Sequence, residues 1–84
     1  MSYDVRWNAS TRNTLATIWI GSANRRAVTA AQARIDRLLA ADPLRNGIPL
    51  SEGLFFIEVH PLRVVFEVDD TNKTVRVVSV GELA

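Results

Sequence analysis

Residues 62–81 read LRVVFEVDDTNKTVRVVSVG. Two apolar-rich runs flank the polar cluster DDTNK, the pattern of a strand, a tight turn and a second strand. In the first run Leu62, Val64, Phe66 and Val68 recur with period two and share one face. Arg63, Val65, Glu67 and Asp69 share the other. Just upstream, GLFFIEVH (53–60) reads as another strand, broken by His60-Pro61, so that two hairpins in succession form an antiparallel meander. DPLRNGIPL (42–50) reads as loop, with Asn46-Gly47 as its turn signal.

Further towards the start the period changes. RRAVTAAQARIDRLLAAD (25–42) places Val28, Ala31, Ile35, Leu38 and Leu39 on one helical stripe, with Arg26, Arg34 and Arg37 largely opposite. Asn24 is placed to cap this helix and Pro43 to block its continuation. Leu15, Ile18 and Trp19 form the stripe of an earlier helix from Thr11, capped by Asn8 or Ser10, with Gly21 as a left-handed end. Tyr3, Val5 and Trp7 alternate with Asp4 and Arg6 as a first strand. The order is β-α-α-β-β-β. Neither the helix stripes nor a sheet face is stable in water alone, so the helical hairpin is expected to cover one face of an antiparallel sheet, an α+β fold. Trp7 and Trp19 are expected in the core between them. The other face stays partly open and carries Arg63, with Glu58, His60 and Arg76 nearby.

Composition sets the bounds. A chain of 84 residues supports one modest core and hence one domain spanning 1–84. It has 48% apolar residues, 23% charged residues and a net charge of +1, which suit a globular protein and not a strongly basic nucleic-acid binder. The absence of cysteine excludes disulfides, thiolate chemistry and Cys-based zinc sites. No signal peptide is visible at the start and no apolar run approaches the ~20 residues that span a bilayer, so a cytoplasmic location without membrane contact is expected. All basic residues but Lys73 are arginine. Guanidinium grips phosphate bidentately, although codon bias accounts for the same excess.

The order, the length and the stretch 62–81 resemble the RelE/ParE superfamily of type II toxin–antitoxin toxins. RIDRLLAADP (34–43) is similar to the end of that family's second helix. The match covers nearly the whole chain. Arg63 corresponds to the arginine of the family's strand motif, which in the RNA-cutting branch helps bind the scissile phosphate. Attack by the ribose 2′-hydroxyl builds charge on that phosphate, and a fixed guanidinium stabilises it. Two departures follow. That branch has lysines or a glutamate on the preceding strand, whereas here Glu58 and His60 are the titratable groups of 54–60. It also has an arginine after the Val-Gly pair and then a Tyr or His, whereas Glu82 follows Gly81 here, with Leu83 and Ala84 beyond. Most of the usual catalytic set is therefore expected to be missing.

The resemblance implies a toxin neutralised by a cognate antitoxin. As an enzyme it would be a metal-independent ribonuclease with no cofactor, acting on mRNA in the ribosome. Arg63 would hold the phosphate, Arg76 would support it, and Glu58 or His60 would move the proton. A ParE-like toxin that binds DNA gyrase, with the Trp19 helix as a contact surface, is the second reading. A non-toxic interaction module of the same fold is the third. Phe55 and Phe56 alternate to opposite faces, so one of them must leave the covered core and offer an apolar contact to a partner.

Overall fold

The computed structural model describes residues 2–83. Its elements run β1 (Asp4–Arg6), α1 (Ala9–Gly21), α2 (Arg25–Ala41), α3 (Pro43–Asn46), β2 (Ile48–Ser51), β3 (Leu54–Val59), β4 (Leu62–Asp69) and β5 (Thr74–Glu82). The strands form one sheet in the order β1-β5-β4-β3-β2. Strands β2 to β5 are an antiparallel meander, and β1 lies parallel to β5. The expected α+β class and layering hold. The parallel β1 departs from a wholly antiparallel sheet. No tight turn joins β1 to β5, so nothing local imposes the antiparallel sense.

The larger difference lies in residues 42–50, expected as loop. Asp42 accepts a hydrogen bond from the Arg45 amide at 3.2 Å and Pro43 occupies the first turn, so a single helical turn forms instead. The Asn46 amide side chain then donates to the Leu38 carbonyl at 2.9 Å, a second bond to an acceptor that the Asp42 amide already engages at 3.1 Å. Gly47 has an ordinary negative φ. A Cβ there would collide with the Phe66 ring and stand 2.8 Å from the Pro43 carbonyl. The Asn-Gly pair is thus a cap and a packing contact. Ile48–Ser51 continues as an edge strand beside β3. All of its residues are exposed, so no alternation betrays it, and Pro49 is tolerated because the strand is at an edge.

Val28, Ala31, Ile35 and Leu39 of α2 meet Leu62, Val64 and Phe66 of β4 and Val75 and Val77 of β5 in one buried cluster. Each fully buried Leu, Ile, Val or Phe contributes about 1.5–3 kcal/mol of transfer free energy. Asn8 caps α1 in a reciprocal box. Its side chain accepts from the Thr11 amide at 2.8 Å, and the Thr11 hydroxyl accepts from the Asn8 amide at 3.1 Å. The other end of α1 differs from expectation. Gly21 is helical, and the following cap Ser22 is extended rather than left-handed. The Arg25 guanidinium closes that end by donating to the carbonyls of Trp19 and Ile20 at 3.1 and 2.8 Å. Trp7 is half-buried against the core and donates to Asp36 at 2.9 Å. Trp19 is not a core residue. It is 41% exposed, lies under Arg25 and donates to Thr29, because only Thr11 and Leu15 of α1 are buried. Among the described residues no helix is long and apolar enough to cross a membrane.

Candidate functional site: the open face of the sheet

The face of the sheet away from the helices is built by register. Glu58 on β3 stands opposite Arg63 on β4, which stands opposite Gly81 on β5. Phe56 stands opposite Val65, one step along the same face. The Arg63 guanidinium lies over the Phe56 ring at 4.4 Å, and its Nε is 3.8 Å from Glu58 Oε2. The latter is an ion pair beyond hydrogen-bond distance, so the guanidinium is oriented while its N–H donors remain available. Both charged side chains are exposed by more than two-fifths, so the pair contributes less than about 1 kcal/mol and yields easily to a stronger anion. The aromatic contact adds about 0.5–1 kcal/mol at such a site.

A β-bulge makes the cleft beside Arg63. Pairing between β4 and β5 passes from Val65↔Ser79 to Phe66↔Val77, which leaves Val78 out of register. Val75 and Val77 point into the core before the bulge and Val80 after it. Under unbroken alternation through Val78, Ser79 would follow Val77 inward and Val80 would face solvent. The bulge therefore delivers Ser79 and Gly81 to the open face. Gly81 has no side chain opposite Arg63, and a Cβ built on it would meet only open space. The result is a cleft of about 450 Å3 lined by Arg63, Val65, Ser79, Gly81, Glu82 and Leu83. Glu82 stands where the sequence comparison put it, after Gly81, whereas Ser79 is a residue the sequence reading missed. The spacing of three between the buried valines 77 and 80 is the signal that alternation breaks there.

The other expected residues separate. His60 sits exposed in the turn between β3 and β4, past the end of the strand that carries Glu58. Arg76 stands opposite Glu67, four residues along β4 from Arg63, and binds its carboxylate at 2.6 Å. Four residues of strand separate Arg63 from Arg76 by roughly 14 Å of backbone, and the two line different concavities. Phe55 stacks on Phe66 with centroids 5.8 Å apart and is half-buried against the core. Phe56 is the one that leaves the core, as a half-buried platform under Arg63. Trp19 and Ile20, 41% and 63% exposed, edge an apolar groove between α1 and α2 floored by Leu15 and Val28.

No protein-family model and no curated protein sequence matches the chain. Solved structures do. A chain of a RelBE toxin–antitoxin complex from Mycobacterium tuberculosis superimposes with a TM-score of 0.79 at 27% identity, over 98% of this chain and 99% of that one. A mutant of the Escherichia coli toxin RelE in the free state gives 0.71 at 20% identity, over 98% and 84%. An archaeal RelE–RelB complex from Pyrococcus horikoshii gives 0.70 at 14% identity, over 98% and 96%. These neighbours agree with the resemblance carried by residues 62–81.

Proposed function

We propose that this chain, which has the fold of the RelE toxins, is the toxin component of a type II toxin–antitoxin pair, and that it cuts mRNA without a metal. The similarity to RelE chains over almost the full length of both partners supports the toxin reading. A cognate antitoxin is then the partner, as in the RelBE complexes. The observation that carries the nuclease reading is the placement of Arg63, supported from below by Phe56 and open above to a cleft.

The chemistry assigned to the site is transfer of a phosphoryl ester within the RNA. The ribose 2′-oxygen bonds to phosphorus, the bond to the 5′-oxygen breaks, and a cyclic phosphate forms. Arg63 takes the charge that develops on the non-bridging oxygens, displacing its weak contact with Glu58. Glu58, freed beside the phosphate, accepts the 2′-hydroxyl proton. The departing 5′-oxygen takes its proton from water, because His60 lies in the turn outside the Arg63 cleft.

The test is inducible expression in a bacterial host, with growth, mRNA integrity and plasmid supercoiling followed early. The expected result is arrest with cleaved mRNA. Arg63→Ala, folded by circular dichroism, is expected to lower cleavage by roughly 100- to 1,000-fold, the usual effect of losing one oxyanion donor. Normal growth with folded wild-type protein would leave only the non-toxic interaction module. A second reading rests on Trp19 and Ile20, whose exposure on α1 suits a non-enzymatic ParE-like toxin that binds DNA gyrase. Arrest with intact mRNA and altered DNA topology would select it.

A further inference from the structure

The open face carries a second concavity that Arg63 does not reach. It has a volume of about 620 Å3 and is lined by Arg6, Arg76, Glu67, Asp69, Asn72 and Thr74. That volume lies within the range of small-ligand sites. Arg6 and Arg76 are direct partners in the parallel register between β1 and β5, an arrangement of like charges that a sheet ordinarily avoids. Each is held by its own acid, Arg6 by Asp4 at 2.8 Å and Arg76 by Glu67 at 2.6 Å. Both arginine side chains are about two-thirds exposed, and their guanidinium groups retain unused N–H donors.

The wall of this concavity is fixed. Asp69 accepts from the Asn72 amide at 3.1 Å and from the Asn72 side chain at 2.8 Å, and Thr74 donates to the Asn72 carbonyl. The two bonds from Asn72 hold the Asp69 carboxyl below its usual range, so it remains an acceptor at neutral pH. The lining thus has two cations and two anions. A phosphate entering it would meet both carboxylates. A neutral group with acceptors on one edge and donors on the next would satisfy both signs. Among nucleobases guanine has that pattern, with N7 and O6 as paired acceptors for an arginine and N–H donors for a carboxylate.

We propose that this concavity is a base-reading pocket for guanine in the RNA strand, with Arg76 on the acceptor edge and Glu67 or Asp69 on the donor edge. The inference rests on the ribonuclease reading above and extends it. A strand anchored at Arg63 would lie along β4 and present a neighbouring nucleotide, not the scissile one, to Arg76.

The test uses the full 15N-labelled chain and four tetranucleotides, UGUU, UAUU, UCUU and UUUU, made with 2′-O-methyl riboses so that none can be cut. The expected result is at least tenfold tighter binding of UGUU, with amide shifts concentrated at residues 68–74. Arg76→Ala and Glu67→Gln, both exposed positions, are expected to abolish the preference while leaving residual binding through Arg63. Equal affinity for all four strands would overturn the proposal, as would shifts confined to the Arg63 cleft or no binding at all. Guanine-selective binding by a chain that leaves cellular mRNA intact would sink the ribonuclease reading and leave the pocket standing. Cleavage without base preference would do the reverse.

Discussion

Gly47 shows what one side chain can hide. Its place after Asn46 has the look of a turn, yet its backbone is one any residue adopts. The constraint is the Phe66 ring against its α-carbon, and Phe66 is fully buried with no room to retreat. Gly47→Ala is expected to destabilise the protein by about 1–3 kcal/mol, the range for overpacking a filled core. The urea unfolding midpoint measures it, and an unchanged midpoint would mean that Phe66 moves freely. At this scale the sequence disclosed a residue's type and face but not its neighbours. Arg63 could be placed on the open face by counting in twos, and one of Phe55 and Phe56 had to share it. The contact of Arg63 with Phe56, and the close approach at Gly47, depend on which strands lie side by side.

Arg25 makes the corresponding point for elements. At the start of α2 a cation opposes the helix dipole, so Arg25 and Arg26 look alike and slightly unfavourable. The structure separates them, because Arg25 reaches back to the last carbonyls of α1 and lies 4.8 Å over the Trp19 ring. There its charge meets the favourable, negative end of the other helix. Arg25→Ala is expected to cost about 1 kcal/mol and to fray α1 at residues 18–21, whereas Arg26→Ala changes stability by less than about 0.5 kcal/mol. Amide exchange at the end of α1, measured for both variants, checks the contrast. The elements with a buried face, α2, β3, β4 and β5, were legible from their periods. Edge strand β2 and the single turn α3 were not, since one has no buried residue and the other buries Pro43 alone. The bulge on β5 sits between these cases, written in the sequence as the spacing of three between Val77 and Val80 but interpretable only once β4 is its partner.

The whole molecule is tied together at the start of β1. Tyr3 donates its phenolic hydrogen to Asp70 in the turn between β4 and β5, and Lys73 binds the same carboxylate at 2.8 Å while lying over the Tyr3 ring. The Asp70 carboxyl is held below its usual range by the bonds from Lys73 and then Tyr3. The Tyr3 hydroxyl and the Lys73 ammonium are both pushed up, chiefly by Asp70. A lowered carboxyl stabilises the fold above its unfolded pKa and loses that contribution as pH falls below roughly 4. A raised phenol or ammonium stabilises it below its unfolded pKa and loses that contribution as pH rises past roughly 10. The attachment of β1 is therefore expected to be strongest between these limits and to loosen on both sides. Asp70→Asn should flatten both limbs in a plot of stability against pH, and limbs that survive the substitution would place the titration elsewhere. Fold class and layering were open to the sequence because they follow from which faces are apolar. The partner of β1 was not, since it lies at the far end of the chain. That pairing has a consequence for how the protein is made. Asp4 meets Thr74 only after roughly 70 further residues have been polymerised, which takes on the order of 4–14 s at about 5–20 residues per second. Throughout that interval the sheet lacks its last strands, and Val28, Ile35 and Leu39 have no β5 to cover them. A nascent chain of this topology exposes its adhesive helices before its sheet is finished, so anything that captures it during translation meets those helices before the open face exists.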